Sequence, residues 1–240
     1  MATKKRSPYF DEKETRTVEE RRDGQAAELA GMMRLAVKKS PIIREQIEAI
    51  GIKPAKKIAF DLLKRLPVVS REKIVQMQID DPPYAGLGNP DADVDRIFTS
   101  PGPVYEPHLS ESDLIWSRAY HAAGFGPGDV VLNAFSYHLV AAGLTFHSGL
   151  RRVGATVVPS GASSTAIQVQ LIRDLKVTGY TGTPSFLKAI IGKAEEMGHD
   201  FKRDFKIGRA SFAAEPLQPA LREEFEKQYG IDTYQMYGAT

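Results

Sequence analysis

Cysteine is absent from the 240 residues, and that one absence removes disulfides, thiol nucleophiles and cysteine-ligated metal sites together. No apolar run approaches the roughly 18 residues of a membrane span, and nothing resembles a signal peptide, so a soluble cytoplasmic protein without membrane contact is expected. Charge of one sign is not in excess: 32 Lys and Arg stand against 30 Asp and Glu, which marks no surface for nucleic acid or acidic lipid. The basic start, Lys4, Lys5 and Arg6, reads as a solvated terminus. The five histidines lack metal-ligand spacing, and no serine sits in a Gly-x-Ser-x-Gly elbow. No dinucleotide fingerprint follows a strand, because GFGPG (Gly124 to Gly128) precedes one and reads as a helix-to-strand turn.

What is present suffices for a core of ordinary size, at 42% hydrophobic residues. The first ninety or so residues read as helical. Leu29, Met32, Met33, Ala36 and Val37 follow helical spacing on a segment starting near Thr17, where Glu20 completes a capping box. Ser40-Pro41 stops that helix and starts another carrying Ile43, Ile47 and Ile50 to Gly51. Leu62, Leu63 and Leu66 form a third short face, and Ser70 caps a fourth helix through Met77. The turn-rich stretch Asp80 to Asp93 then marks a boundary, giving a helical region over 1–93 and an α/β region over 94–240.

From Arg96 onward strand and helix alternate. Strands are expected near Arg96, Val130, Thr156, Val177, Arg209 and Asp232, with helices between them starting at Ser110 (Asp113 three on), Thr165 (Gln168 three on) and Thr183-Pro184, and a further one carrying Leu221 and Phe225. A helix through Leu139 to Val153 contains Gly143 and Gly149, which suggests close packing against the sheet. His147 falls within it and reads as a packing residue, as does Trp116 on the helix after Ser110. The fold class is therefore α/β, a mostly parallel sheet flanked by helices and preceded by a helical N-terminal region. Ligands of such sheets sit at the carboxyl ends of the strands. Those ends are the Thr99-Ser100 loop, AFSYHL from Ala134, PSGASS from Pro159, YTGTPS from Tyr180, AAEP from Ala213 and YGAT from Tyr237. Small residues, hydroxyls and aromatics dominate them, which suits a flat ring and an oxygen-rich ligand better than a metal. His138, next to a strand end, is a candidate contact for a carboxyl or phosphate group.

Read in order, TSPGPVYEP from Thr99, PGDVVLNAFSY from Pro127, GATVVPS from Gly154, TGTPSFL from Thr181, AAEPL from Ala213 and YGAT from Tyr237 resemble the motifs of the adenylate-forming acid-CoA ligases, specifically the phenylacetate-CoA ligase-like group. SPIIREQIEAIGI from Ser40 and LLKRLPVVSREKI from Leu62 are similar to that group's N-terminal region. The resemblance implies part of that family's N-terminal domain, incomplete at the C-terminus, from an enzyme that joins an aryl or related carboxylic acid to CoA through an acyl-adenylate. It implies ATP, Mg2+ and CoA as cofactors, a small carboxylic acid as substrate, and a homodimer as an assembly open to the full-length protein. Carried over residue by residue, it assigns Ala213, Ala214, Glu215 and Pro216 to the adenine. Tyr237, Gly238, Ala239 and Thr240 fall in the turn whose hydroxyl residue approaches the α-phosphate, Thr240 being the catalytic candidate. Thr99, Ser100 and Gly102 fall to the phosphate loop, and Phe135, Ser136, Tyr137 and His138 to the acid pocket, with no metal ligands assigned. The phosphate loop has a single glycine between two prolines, and Glu106 stands where the family has Lys. A non-catalytic acid-binding module with a degenerate phosphate loop is therefore the alternative reading.

Overall fold

Five parallel strands carry the larger part of the molecule. In the computed structural model, which describes residues 7–51 and 60–238, the chain divides into two compact units. One comprises Asp11–Ser110, and the other the described residues of 1–10 and 111–240. The side chains of Asp61, Leu62, Ser110, Asp113 and Leu114 also lie outside the described set. The expected contribution of Leu62 and the Ser110–Asp113 cap fall there.

In the Asp11–Ser110 unit, α1 (Val18–Lys39) begins with the expected capping box, Thr17 accepting from the Glu20 amide while Glu20 reaches back. Ser40 caps α2 (Pro41–Ala49) and Ser70 caps α3 (Arg71–Asp80). Ala30, Met33 and Ile47 form a small core with Leu29, Val37, Ile43, Ile50 and Leu66 around it. Met32, expected on that face, is 68% exposed.

The strand expected at Arg96 is present as β1 (Arg96–Ser100) but does not join the parallel sheet. It pairs antiparallel with β2 (Val104–His108), Ser100 opposite Val104. The stretch read as a loop before a helix is thus the turn and second strand of a hairpin. The burial pattern gives the reason: Phe98 and Val104 are buried while Ile97 and Tyr105 are exposed, the alternation of a one-sided ribbon rather than of a strand covered on both faces. Gly102, at φ +151°, makes the turn, with the position of a Cβ only 3.1 Å from Val75 Cγ2.

In the second unit α4 (Leu114–Ala122) leads through Gly124 and Gly128, both at positive φ, into β3 (Val130–Asn133). There follow α5 (Ala142–Arg152), β4 (Thr156–Val158), α6 (Thr165–Asp174), β5 (Gly179–Gly182), α7 (Pro184–Glu196), α8 (Phe201–Asp204), β6 (Arg209–Phe212), α9 (Pro219–Glu223) and β7 (Asp232–Gln235). The strand order is β4-β3-β5-β6-β7, and every pairing is parallel. Alternation along the strands splits the core between two faces. Val131 packs with Tyr120, Phe125, Phe146 and Leu150 of the α4–α5 side. Leu132, Tyr180, Ala210 and Phe212 pack with Val169, Ile172, Leu187, Ile190 and Ile191 of α6 and α7.

Two helix starts and one glycine contact differ from expectation. α5 starts at Ala142, not Leu139. At Gly143 a Cβ would stand 2.0 Å from Ser136 O, so the preceding loop runs hard against the helix start. Gly149 faces α4 rather than the sheet, where a Cβ would meet Trp116 Cβ at 2.8 Å. The N-cap of α6 is Ser164, without a side-chain bond. Gln168, expected to close a capping box with Thr165, is buried and donates instead to Gly161 O and Ser163 Oγ.

Candidate functional site

The helix after β3 covers one face of the sheet and the helices after β4 and β5 the other, so the chain changes direction at β3. Such a switch point opens a crevice at the carboxyl edge, because the connections from neighbouring strands leave toward opposite faces. A cavity of about 480 Å³ lies there, lined by Ala134, Phe135 and Ser136 after β3, Ala162 after β4, and Thr183, Ser185, Phe186 and Ala189 at the start of α7. Two aromatic rings and three alanines make its lining mainly apolar, with hydroxyls from Ser136, Thr183 and Ser185. That composition accepts a small ring bearing one polar group.

Asn133, the last residue of β3 and fully buried, joins the surrounding loops. Its Nδ2 donates to Tyr137 OH at 2.7 Å and to Gly143 O at 2.9 Å, and its Oδ1 accepts from the Phe135 amide at 3.2 Å. Tyr137 OH also lies 3.1 Å from His147 Nδ1. Burial pushes the Tyr137 hydroxyl up to about 12, against the opposing effect of the Asn133 bond. Burial, and then the nearby Arg151, holds His147 below the ordinary histidine value. A neutral His147 accepting from a protonated Tyr137 satisfies both groups.

Farther along the edge, Thr183 caps α7 by accepting from the Phe186 amide, with Pro184 at the first helical position, as the sequence predicts. The Glu215 carboxylate accepts from Ser185 Oγ at 2.8 Å and from the Ser185 amide at 3.3 Å. Glu215 O accepts from Gln235 Nε2 at 3.2 Å. Ala214 just before it is held at φ +68°, the left-handed region that alanine disfavours.

Of the expected acid-pocket residues, Phe135 and Ser136 line the cavity. Tyr137 turns its hydroxyl to Asn133 and His147, and His138 is exposed. Of the expected adenine segment, Ala213 is buried while Ala214 and Pro216 face outward. Tyr237 is 90% exposed, and a Cβ at Gly238 would stand 3.1 Å from Trp116 Cη2. Ala239 and Thr240 lie outside the described residues. Thr99, Ser100 and Gly102 belong to the hairpin of the other unit. There Arg71 Nη2 donates to Ser100 Oγ at 2.6 Å and Arg71 Nε to Pro101 O at 3.0 Å. Gln78 holds both the amide and the carbonyl of Tyr105.

Sequence reasoning gave no role to Asn133, Phe186 and Ala189, read His147 as a packing residue, and reached Ala162 only as part of the PSGASS strand end. Phe186 and Ala189 carried a usable signal, an i, i+3 pair in the first turns of a helix entering from a strand end. Among the described residues no group of His, Asp and Glu could hold a metal ion, and no helix is long and apolar enough to cross a membrane.

The chain is 29% identical over 237 residues to a phenylacetate-coenzyme A ligase of Pseudomonas putida, covering 95% of this chain and 53% of that protein. It is 30% identical over 239 residues to one of Escherichia coli (strain K12), covering 95% and 53%. The chain thus spans about half the length of the curated relatives it matches. A solved 2-hydroxyisobutyryl-CoA ligase, in an open conformation with 2-HIB-AMP and CoA, superposes over 100% of this chain and 58% of its own with a TM-score of 0.88 at 23% identity, a likeness of fold. The AMP-binding enzyme family matches residues 108–240, more than half of the chain. With its parallel sheet and the motifs at its carboxyl edge, the chain belongs to the AMP-binding enzyme family and is similar, over about half their length, to phenylacetate-coenzyme A ligases.

Proposed function

We propose that this chain forms the N-terminal portion of a cytoplasmic, ATP-dependent acid-CoA ligase that adenylates an aryl or related carboxylic acid and passes it to CoA. The observation that carries the reading is the bond from Ser185, on the cavity wall, to Glu215, in the segment assigned to adenine. The bond joins the apolar cavity to the Ala213–Pro216 segment on one sheet edge, which supports reading the two as neighbouring acid and nucleotide sides. Phe135 and Phe186 offer rings for an aryl group to pack against, with Ser136, Tyr137 and His138 completing the acid side. Ala213, Ala214, Glu215 and Pro216 form the adenine side with Tyr237 and Gly238, and the family resemblance assigns Ala239 and Thr240 to the α-phosphate turn. The exposed backbone turn at Ala214 and the open face of Tyr237 fit a planar base. Mg2+ and CoA enter through the family resemblance, with no residues of this chain assigned to them, and a homodimer belongs to the same reading. Chemically, the acid carboxylate attacks the α-phosphate and pyrophosphate leaves. The protein's part is to align the two groups and stabilise the developing charge.

Two titrations of the chain test the reading, with phenylacetate and with AMP, followed by melting temperature and by the fluorescence of the only tryptophan. Trp116 stands edge-on to Phe146, which packs on the cavity residue Phe135. Both ligands are expected to raise the melting temperature, since ligands that bind the native state stabilise it, and phenylacetate is expected to change the emission. No response to any of a panel of aryl acids sinks the proposal.

The hairpin favours a second reading, an acid-binding module that does not handle triphosphate. Its turn of Pro101, Gly102 and Pro103 has two residues without N–H donors, and Arg71 is already engaged on Ser100 and Pro101. This reading expects phenylacetate but not ATP-Mg2+ to raise the melting temperature, and recovery of ATP binding on Glu106→Lys. Tight ATP binding by the unaltered chain rejects it.

A further inference from the structure

We infer that Asn133 is the positioning residue of the cavity: its buried carboxamide holds the 134–143 wall in the shape that receives the acid. This rests on the proposed acid site for its consequence, but not for its geometry.

Asn133 is fully buried, yet its hydrogen-bonding capacity is nearly filled. Both amide hydrogens are used, one on Tyr137 OH and one on Gly143 O, and Oδ1 takes the Phe135 amide. Its main-chain oxygen accepts from Ser160 Oγ at 3.2 Å and from the Gly161 amide at 3.0 Å. One residue at a strand end therefore fixes the first residues after β3, the start of α5, and the loop after β4. The Gly161 peptide is held from both sides, because its carbonyl accepts from the buried Gln168 at 2.8 Å.

Only a primary amide fits these partners. The side chain must donate twice, to a carbonyl and a phenol, and accept once from an amide, and a carboxylate of the same shape cannot donate at all. Asn133 does not line the cavity. Its effect passes through Phe135 and Ser136, which do, while Tyr137, whose hydroxyl is committed to Asn133 and His147, anchors the same stretch. Among the described residues no hydrogen bond joins Asn133 to the Ala213–Pro216 segment, so its effect is expected to fall more on the acid than on the nucleotide.

The test is hydrogen–deuterium exchange on the 240-residue chain and its Asn133→Asp variant, with phenylacetate and AMP titrations of both. Loss of the two donated bonds is expected to speed exchange in 134–143 about tenfold or more while β5 and α7 stay within about twofold. Phenylacetate affinity should fall about tenfold with AMP affinity unchanged. Gln168→Leu, as a comparison, should loosen 159–164 and spare 134–143. A folded Asn133→Asp variant that leaves 134–143 unchanged overturns the inference, as does one that loosens all segments alike or weakens acid and AMP equally. Should that variant not fold, Tyr137→Phe, which deletes one of the same bonds, decides: faster exchange confined to 134–143 supports the inference, and none rejects it. If the wild-type chain binds no aryl acid, the acid reading falls, and the exchange pattern alone decides whether Asn133 holds the wall.

Discussion

Ser185 donates to the Glu215 carboxylate twice, from its hydroxyl at 2.8 Å and from its amide at 3.3 Å. The carboxylate thereby answers an unpaired donor in the first turn of α7 and lies at the positive end of that helix, while tying the loop after β6 to the cavity wall. Ser185→Ala should lower stability by about 1 kcal/mol and Glu215→Ala by about 1–2 kcal/mol in urea denaturation. The double variant should show a coupling of about 1 kcal/mol. Strict additivity would mean that the bond contributes nothing.

Ala214, at φ +68°, occupies a conformation that glycine adopts freely. The left-handed backbone costs alanine about 1–2 kcal/mol, and the greater freedom of glycine in the unfolded chain offsets part of that. Ala214→Gly is therefore expected to stabilise the chain by about 0.5–1 kcal/mol, seen as a raised urea midpoint with an unchanged slope. A destabilised variant would show that the methyl group has a packing role.

Gly149 brings α5 against α4, with a Cβ there only 2.8 Å from Trp116 Cβ and 3.2 Å from Trp116 C and Tyr120 Cδ2. Helix propensity alone would favour Gly149→Ala by about 1 kcal/mol. Overpacking should reverse the sign and cost about 1–3 kcal/mol, because the neighbours include backbone. Melting temperature should fall and the Trp116 emission should shift together. A neutral or stabilised variant would mean that the helices separate without penalty.

His147 is held below its ordinary value of 6.5, first by burial and then by Arg151. With the folded value depressed, the unfolded chain binds the proton more readily. The contribution of His147 is thus fully present above about pH 6.5 and declines as pH falls toward the folded value. Stability should drop on acidification from pH 7 to pH 5, and His147→Gln should flatten that part of the profile. An unchanged profile in the variant would assign the loss to other groups.

The helix starts were readable because capping is local chemistry. Thr17 with Glu20, Ser40-Pro41, Ser70 and Thr183-Pro184 each name their own helix within four residues. The five parallel strands were readable as short segments alternating with such helices at spacings that suit repeated βαβ units. The motif residues of the candidate site were legible as a set in order along the chain, but their roles were not, since a strand end reveals its residues without their directions. Tyr137 and His147, ten residues apart, are joined through a helix whose start lies three residues later than its apolar pattern suggests.

By itself, then, the sequence determined the α/β class, most helix boundaries and the family, because periodicity, caps and ordered motifs are properties of neighbours along the chain. Tertiary structure alone decided three other matters. It placed β1 in a hairpin rather than in the sheet, since strand partners are chosen by the burial of both faces. It turned Gln168 inward to Gly161 instead of into a capping box. It made Asn133, one polar residue at the end of an apolar strand, the point where the loop after β3, the start of α5 and the loop after β4 meet. Each depends on which distant groups a buried amide or strand face encounters, and that is fixed only when the chain packs.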